Sequence, residues 1–138
     1  MAKQIWTSCY GRLRWIPQGV QRVVVSRTVP QWFAEGDFSF TRMMELAPSS
    51  TLLWKAKNDP AYDWRAAFLT ELVQRDLGAL YVSLPLLCVL LCHEKDWENC
   101  HRKIAWDVFH NRFGCVGGEW PEPIDERKTR ETQTSLFG

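Results

Sequence analysis

Between Pro85 and His93 the chain carries no polar side chain: the run is LLCVLLC, Leu86 to Cys92. A strand with one face in water alternates apolar and polar residues, whereas one that is apolar throughout must be covered on both faces. A mainly parallel sheet between layers of helix supplies that cover, so this short run predicts a buried strand inside an α/β domain. The flanking signals agree. Ile5–Cys9 reads as a short strand and Val20–Ser26 (VQRVVVS) as a second, rich in β-branched residues. Pro30 blocks continuation of the second, and Gln31–Gly36 reads as a turn with an aromatic plug. Phe40–Leu46 reads as a short helix ended by Ala47-Pro48, and Leu52–Lys57 fits either class. Asp59 as N-cap with Pro60 in the first turn predicts a helix from about Ala61 to Asp76, with Trp64, Ala67, Phe68, Leu72 and Val73 as its apolar stripe. Gly78–Ser83 reads as a connector or short helix. A further helix should begin near Asn99 and stop at Gly114, with Ile104, Ala105, Val108 and Phe109 turned inward. Cys115–Trp120 reads as a final edge strand before Pro121 and Pro123. The alternation of strand and helix predicts one small open α/β domain over residues 1–124. From Asp125 to Gly138 charge and polarity dominate, which predicts a flexible tail.

Composition narrows the partners. Lysine and arginine number 17 against 16 acids, a net charge of +1. That balance argues against bulk electrostatic binding to nucleic acid or to an anionic membrane, leaving only a local patch. No apolar run approaches the roughly 20 residues of a membrane span, and MAKQIWTSCYGRLRW has no signal-peptide core. The five cysteines are an odd number without a small-scaffold framework, which fits reduced thiols in a cytoplasm. The eight tryptophans are scattered, and read as core and pocket-wall packing.

The chemistry-bearing stretch is CHEKDWENCHR, Cys92 to Arg102. If Leu86–Cys92 is a parallel strand, this loop lies at its carboxyl end, the edge where open α/β sheets bind ligands. With Asn99 as N-cap, Cys100, His101 and Arg102 fall in the first helical turn. Free N–H groups and the positive dipole end favour an anion there and depress a thiol's pKa. His101 precedes Ile104 by three and Ala105 by four, so it should point back over the sheet edge. Arg102 is a five-donor fork suited to phosphate or carboxylate, and Glu94 could orient His101 or act as a base. Each residue also has a plainer reading. Cys88 and Cys92 suit core packing, Cys100 can be packed at a helix start, and Arg102 with Glu94 can form a surface ion pair. Metal is not expected. Structural zinc prefers close pairs such as C-x₂-C, Cys92 and Cys100 stand far apart by that measure, and adjacent Cys92 and His93 on a strand point to opposite faces.

IWTSCYGRL, VSRTVPQWF and above all LLCHEKDWENCHR resemble the domain of unknown function 488 family, especially its short forms, with Glu119-Trp120 near the last strand. The resemblance runs from Ile5 to about Glu122. It implies a small Rossmann-like open sheet, mainly parallel and flanked by helices, in an enzyme linked by analogy to nucleotide or nucleic-acid processing. No cofactor is implied. Its polar positions fall on Thr7, Ser8, Arg27, Cys92, Glu94, Cys100, His101 and Arg102. Thr7 and Ser8 end the first strand and Arg27 ends the second, so in a parallel sheet these positions meet the loop at one edge. His93, Cys9 and Trp97 depart from the family pattern. Distant members lack the cysteines but keep a histidine at the helix start, which favours His101 as the chemical group over Cys100.

The last residues, QTSLFG, resemble the bacterial sliding-clamp binding motif, with Gln133, Ser135, Leu136 and Phe137 matching and Thr134 departing. Leu136 and Phe137 would be apolar anchors for a groove, and Gln133 a polar orienting contact. Together these features predict a cytoplasmic bacterial or phage enzyme acting on a nucleotide or a DNA base, delivered by its tail. His101 would be the general acid/base, oriented by Glu94, with Cys100 the alternative nucleophile. Thr7, Ser8, Arg27, Cys92 and Arg102 would hold substrate or phosphate. The rival is a non-catalytic interaction protein that occupies the clamp or blocks a host defence.

Overall fold

The computed structural model describes residues 2–120; the domain's last few residues and the tail with Gln133, Leu136 and Phe137 lie outside them. In chain order the elements are β1 (Gln4–Cys9), β2 (Gln21–Val24), α1 (Gln31–Glu35), β3 (Phe40–Arg42), α2 (Ser50–Asn58), α3 (Trp64–Val73), α4 (Leu77–Ser83), β4 (Leu87–Cys92), α5 (His101–Phe113) and β5 (Val116–Glu119). Short 3₁₀ segments fill Tyr10–Trp15, Met44–Leu46 and Trp97–Asn99. The strands form one sheet in the order β3-β2-β4-β1-β5, and every pairing is parallel. The chain is thus a small Rossmann-like α/β domain, and its sheet is wholly parallel.

The apolar run of β4 explains its central place. Cys88, Leu90 and Cys92 face one side with Ile5, Val23 and Val25, under Phe68, Leu72, Leu77, Ala105 and Phe109 of α3, α4 and α5. Val89 and Leu91 face the other side with Val24, covered by Tyr10, Leu13, Ile16 and Phe33. Among the described residues one face therefore carries four helices and the other a 3₁₀ segment and α1. Right-handed crossovers require this split. The β1-to-β2 connection steps over β4 in one direction and the β4-to-β5 connection steps over β1 in the other, so they cross opposite faces. Adjacent β2 and β4 send their chains away from each other, which opens a crevice between their carboxyl ends.

Local structure departs from expectation at several points. Phe40–Arg42 is an edge strand and not a helix, because Phe40 can plug the thin face beside Phe33 while Thr41 and Arg42 stay in water. Residues 31–35 form a helical turn, and the ambiguous Leu52–Lys57 lies inside α2, where Ser49 caps by accepting from the Leu52 N–H at 3.1 Å. The α3 helix begins later than Asp59-Pro60 suggests. Asp59 instead closes α2 and accepts from the Ala61 N–H, and Asp63 is the cap, accepting from Ala66 at 3.1 Å. The last helix starts at His101 with Cys100 as N-cap, since Asn99 is held in the preceding 3₁₀ turn. Gly114 ends it at φ 74, the left-handed conformation a glycine supplies without strain. The tryptophans flank the core without entering it: none is fully buried, Trp6, Trp64, Trp106 and Trp120 pack against it, and Trp32 and Trp54 are 51% and 66% exposed. Among the described residues no helix is long and apolar enough to cross a membrane.

Candidate functional site

Cys92 is the last residue of β4 and turns toward the thick face, as Cys88 and Leu90 do. The loop after it must double back within a few residues to start α5, and a buried ion pair holds it there. Arg102, wholly buried, donates through Nη1 to the Glu94 carbonyl and through Nη2 to the Lys95 carbonyl at 3.4 Å. The same guanidinium grips Glu119 at the end of β5, Nη2 to Oε2 at 2.6 Å and Nε to Oε1 at 3.2 Å. Arg12 donates to Glu119 Oε2 at 2.9 Å and the Thr7 hydroxyl to Oε1 at 2.7 Å. Arg102 and Thr7 are therefore not poised to receive an external anion; they tie the loop, β1 and β5 into one unit. Burial is the largest single influence and opposes the Arg102 charge, but Glu119 and the Cys100 sulfur together outweigh it and raise the pKa.

That fold-back brings the α5 start against the end of β4. His101 reaches across the sheet edge, where Nε2 donates to the Val25 carbonyl at 2.7 Å, and the Phe68 ring meets the imidazole edge-on at 5.5 Å. A carbonyl only accepts, so Nε2 carries a proton, and in the neutral ring Nδ1 is the lone pair. Nδ1 faces two sulfurs, Cys92 Sγ at 3.7 Å and Cys100 Sγ at 3.9 Å. The three ligating atoms all lie within 4.8 Å of one another. Chain spacing concealed this: the gap between Cys92 and Cys100 is a closed loop, so the two thiols end side by side. His93 is not part of the cluster. It points to the thin face, as strand alternation requires, with Nε2 2.7 Å from the Thr28 carbonyl and its ring on Tyr10.

The two thiols are not equivalent. The Cys100 pKa is lowered, first by the hydrogen bond from the Cys92 thiol, against the effect of burial and with the charge of Arg102 adding to it. Cys92 is raised by that same bond and by burial, so Cys100 is the sulfur that ionises.

Over this cluster opens a pocket of about 540 Å³, in the crevice between β2 and β4. Pro48, Leu52, Ala56 and Trp64 form an apolar wall, and Ser26, Thr28 and Asn99 add polar groups. Arg27 and Lys57, both exposed, supply positive charge; Arg27 is oriented by its Nε bond to the Pro48 carbonyl at 2.6 Å. A larger depression of about 990 Å³, on the thin side by Tyr10, Arg14 and Trp32, has no cysteine or histidine in its lining.

Of the positions singled out from sequence, Arg27, Cys92, Glu94, Cys100 and His101 line the pocket, and Thr7, Ser8 and Arg102 do not. Ser8 is buried facing the same side as Leu91, and its hydroxyl has no hydrogen-bond partner among the described residues. Glu94 does not orient His101. Its carboxylate accepts from the Asp96 N–H at 3.1 Å, closing its own turn, and Val25 takes the orienting role. The roles of Val25, Lys57 and Glu119 escaped the sequence reading, which marks Trp64 only as part of its helix's apolar stripe and among the wall-packing tryptophans. A backbone carbonyl leaves no trace in residue type, and only the family's Glu-Trp pair marked Glu119.

Comparison with curated proteins and with solved structures gives no match. A family model described as a domain of unknown function, DUF488, matches residues 14–109. That span includes Arg27 and the whole of Cys92–Arg102, and leaves Thr7, Ser8 and Glu119 outside. Covering most of the chain, the match establishes what the LLCHEKDWENCHR stretch suggested: the chain belongs to the domain of unknown function DUF488 family.

Proposed function

We propose that the protein is an enzyme that binds a nucleotide or a nucleic-acid base in the pocket over His101 and acts on it with the Cys92–Cys100–His101 centre. The observation that carries this reading is the pocket itself. A flat indole and an apolar wall face one side of it, two cations stand at its exposed edge, and reactive groups lie at its floor. Trp64 offers a stacking face for a base, Arg27 and Lys57 offer charge to a phosphate, and His101 holds a lone pair toward the thiols. The test is a panel of nucleobases, nucleosides and nucleotides, read by thermal shift and by product chromatography. A ligand class should raise Tm in the wild type, lose that effect in Trp64→Ala, and bind without turnover in His101→Gln. No shift and no product across the panel would overturn the reading.

The carboxyl-terminal QTSLFG supports a role for the tail: Gln133, Leu136 and Phe137 would seat the protein on a bacterial sliding clamp and so place it at DNA. If the protein acts only as a clamp-binding or anti-defence factor, the pocket variants leave its effect intact and changing Leu136 and Phe137 to alanine removes it. If it is an enzyme, the pocket variants abolish the effect.

A further inference from the structure

We infer that Cys92, Cys100 and His101 are a catalytic metal site, three protein ligands to a thiophilic divalent cation, zinc above all, with a fourth position open to the pocket. The spacing of the ligand atoms is slightly wider than that of a tetrahedral metal shell. Zinc–sulfur bonds of about 2.3 Å and zinc–nitrogen bonds of about 2.0–2.1 Å place sulfur and nitrogen about 3.5 Å apart at tetrahedral angles. The observed separations of Nδ1 from the two sulfurs are 3.7 and 3.9 Å, and no ligand pair exceeds 4.8 Å. The shortfall to a closed shell is therefore a few tenths of an ångström for each sulfur–nitrogen pair.

A second, independent feature is the far side of the imidazole. A metal-binding histidine almost always donates its other ring N–H to a carboxylate or backbone carbonyl, which fixes the ring and raises its basicity. His101 does so to Val25 at 2.7 Å, and that bond turns the Nδ1 lone pair onto the sulfurs. Two thiolates would also cancel the ion's charge, so the buried centre carries no uncompensated charge. Soft sulfur ligands select zinc over magnesium or calcium. Among the described residues three ligands stand without a fourth, which is the pattern of catalytic zinc; structural sites are closed by four. All three side chains line the pocket, so the fourth position faces the substrate side.

This inference rests on the proposed function only for what the fourth position faces. A water there would be the nucleophile of a hydrolysis. Its oxygen bonds to the electrophilic carbon or phosphorus, the bond to the leaving group breaks, and the water's proton passes to the leaving group.

The test uses the full chain purified under reductant. Metal analysis should find about one zinc per chain. After chelation, Co²⁺ titration should give the tetrahedral d–d bands and a thiolate-to-cobalt charge-transfer band, saturating at one equivalent. Cys100→Ser and His101→Gln should lose or displace these bands, and Cys115→Ala, a buried thiol remote from the centre, should keep them. Far-UV circular dichroism on each variant separates metal loss from unfolding. Absence of zinc together with no cobalt spectrum in the reduced, folded wild type overturns the inference, as does a spectrum unchanged in the Cys92→Ser/Cys100→Ser double variant. Neither result depends on substrate. A metal-free protein that still binds nucleotides refutes the metal alone, and a metal protein that binds none refutes the substrate reading alone.

Discussion

Replacing Glu119 by glutamine strands a buried charge, and the structure fixes how much that should matter. Arg102 is wholly buried and its carboxylate partner 15% exposed, and their two contacts at 2.6 and 3.2 Å form a fork. Two unit charges about 4 Å apart at an effective dielectric of about 20 attract by about 4 kcal/mol. Breaking a buried pair by removing one partner costs about 3–5 kcal/mol, because the survivor keeps its desolvation penalty. Both routes predict that Glu119→Gln loses about 3–5 kcal/mol, a large part of the 5–15 kcal/mol that stabilises ordinary domains. At about 4 °C per kcal/mol for a domain of this size, Tm should fall by about 12–20 °C. Arg102→Met should be milder, since Glu119 keeps Arg12 and Thr7 as partners and the Glu94 and Lys95 backbone carbonyls released lie in an exposed loop open to water. Combining Glu119→Gln with Arg102→Met should then recover stability relative to Glu119→Gln alone. Thermal and urea unfolding followed by circular dichroism measures all three. A Glu119→Gln protein within about 3 °C of wild type would refute the reasoning, because the loop would then be held by something other than this pair.

The β1–β5 edge should be as sensitive at Gly117. Its φ is +120 and an added Cβ would sit 2.3 Å from the Ile5 carbonyl oxygen, so Gly117→Ala should cost at least the 1–3 kcal/mol of such strain and expose the Val116–Glu119 amides to hydrogen exchange. Gly19→Ala, with none of the described residues within 4 Å of the added Cβ, should leave stability nearly unchanged in the same assay. Burial pushes the Tyr10 hydroxyl up to about 12 from 10.0, against the opposing effect of its bond to Ser26. A raised pKa means that the unfolded chain releases this proton first. The contribution is therefore complete below pH 10 and lost as pH climbs toward about 12. The urea midpoint should fall across that window, and Tyr10→Phe should remove Tyr10's share of the fall; identical slopes would refute the assignment.

What the sequence determined by itself is whatever repeats along one element. An unbroken apolar run put β4 at the centre of the sheet, because only a strand covered twice can hide every side chain, and Gly114 stopped α5 because few other residues adopt its backbone. The loop after β4 could be placed at the carboxyl edge of the sheet for the same reason: once the strand is parallel, its carboxyl end is known. Boundaries failed where two local signals competed, as at Asp59 and Asp63, either of which can cap a helix. Tertiary structure alone decided which groups meet. Arg102 looked like an anion fork because its partner Glu119 lies on another strand, and the pairing depends on how β5 returns beside β1. Cys92 and Cys100 looked too far apart to share a ligand because sequence distance ignores a loop that closes on itself. The Val25 carbonyl that orients His101 belongs to the backbone, which every residue carries alike, so no residue type announces it. Periodicity reports burial averaged along an element, whereas a site is made by a few atoms from separate segments, and their meeting is a property of the path between them.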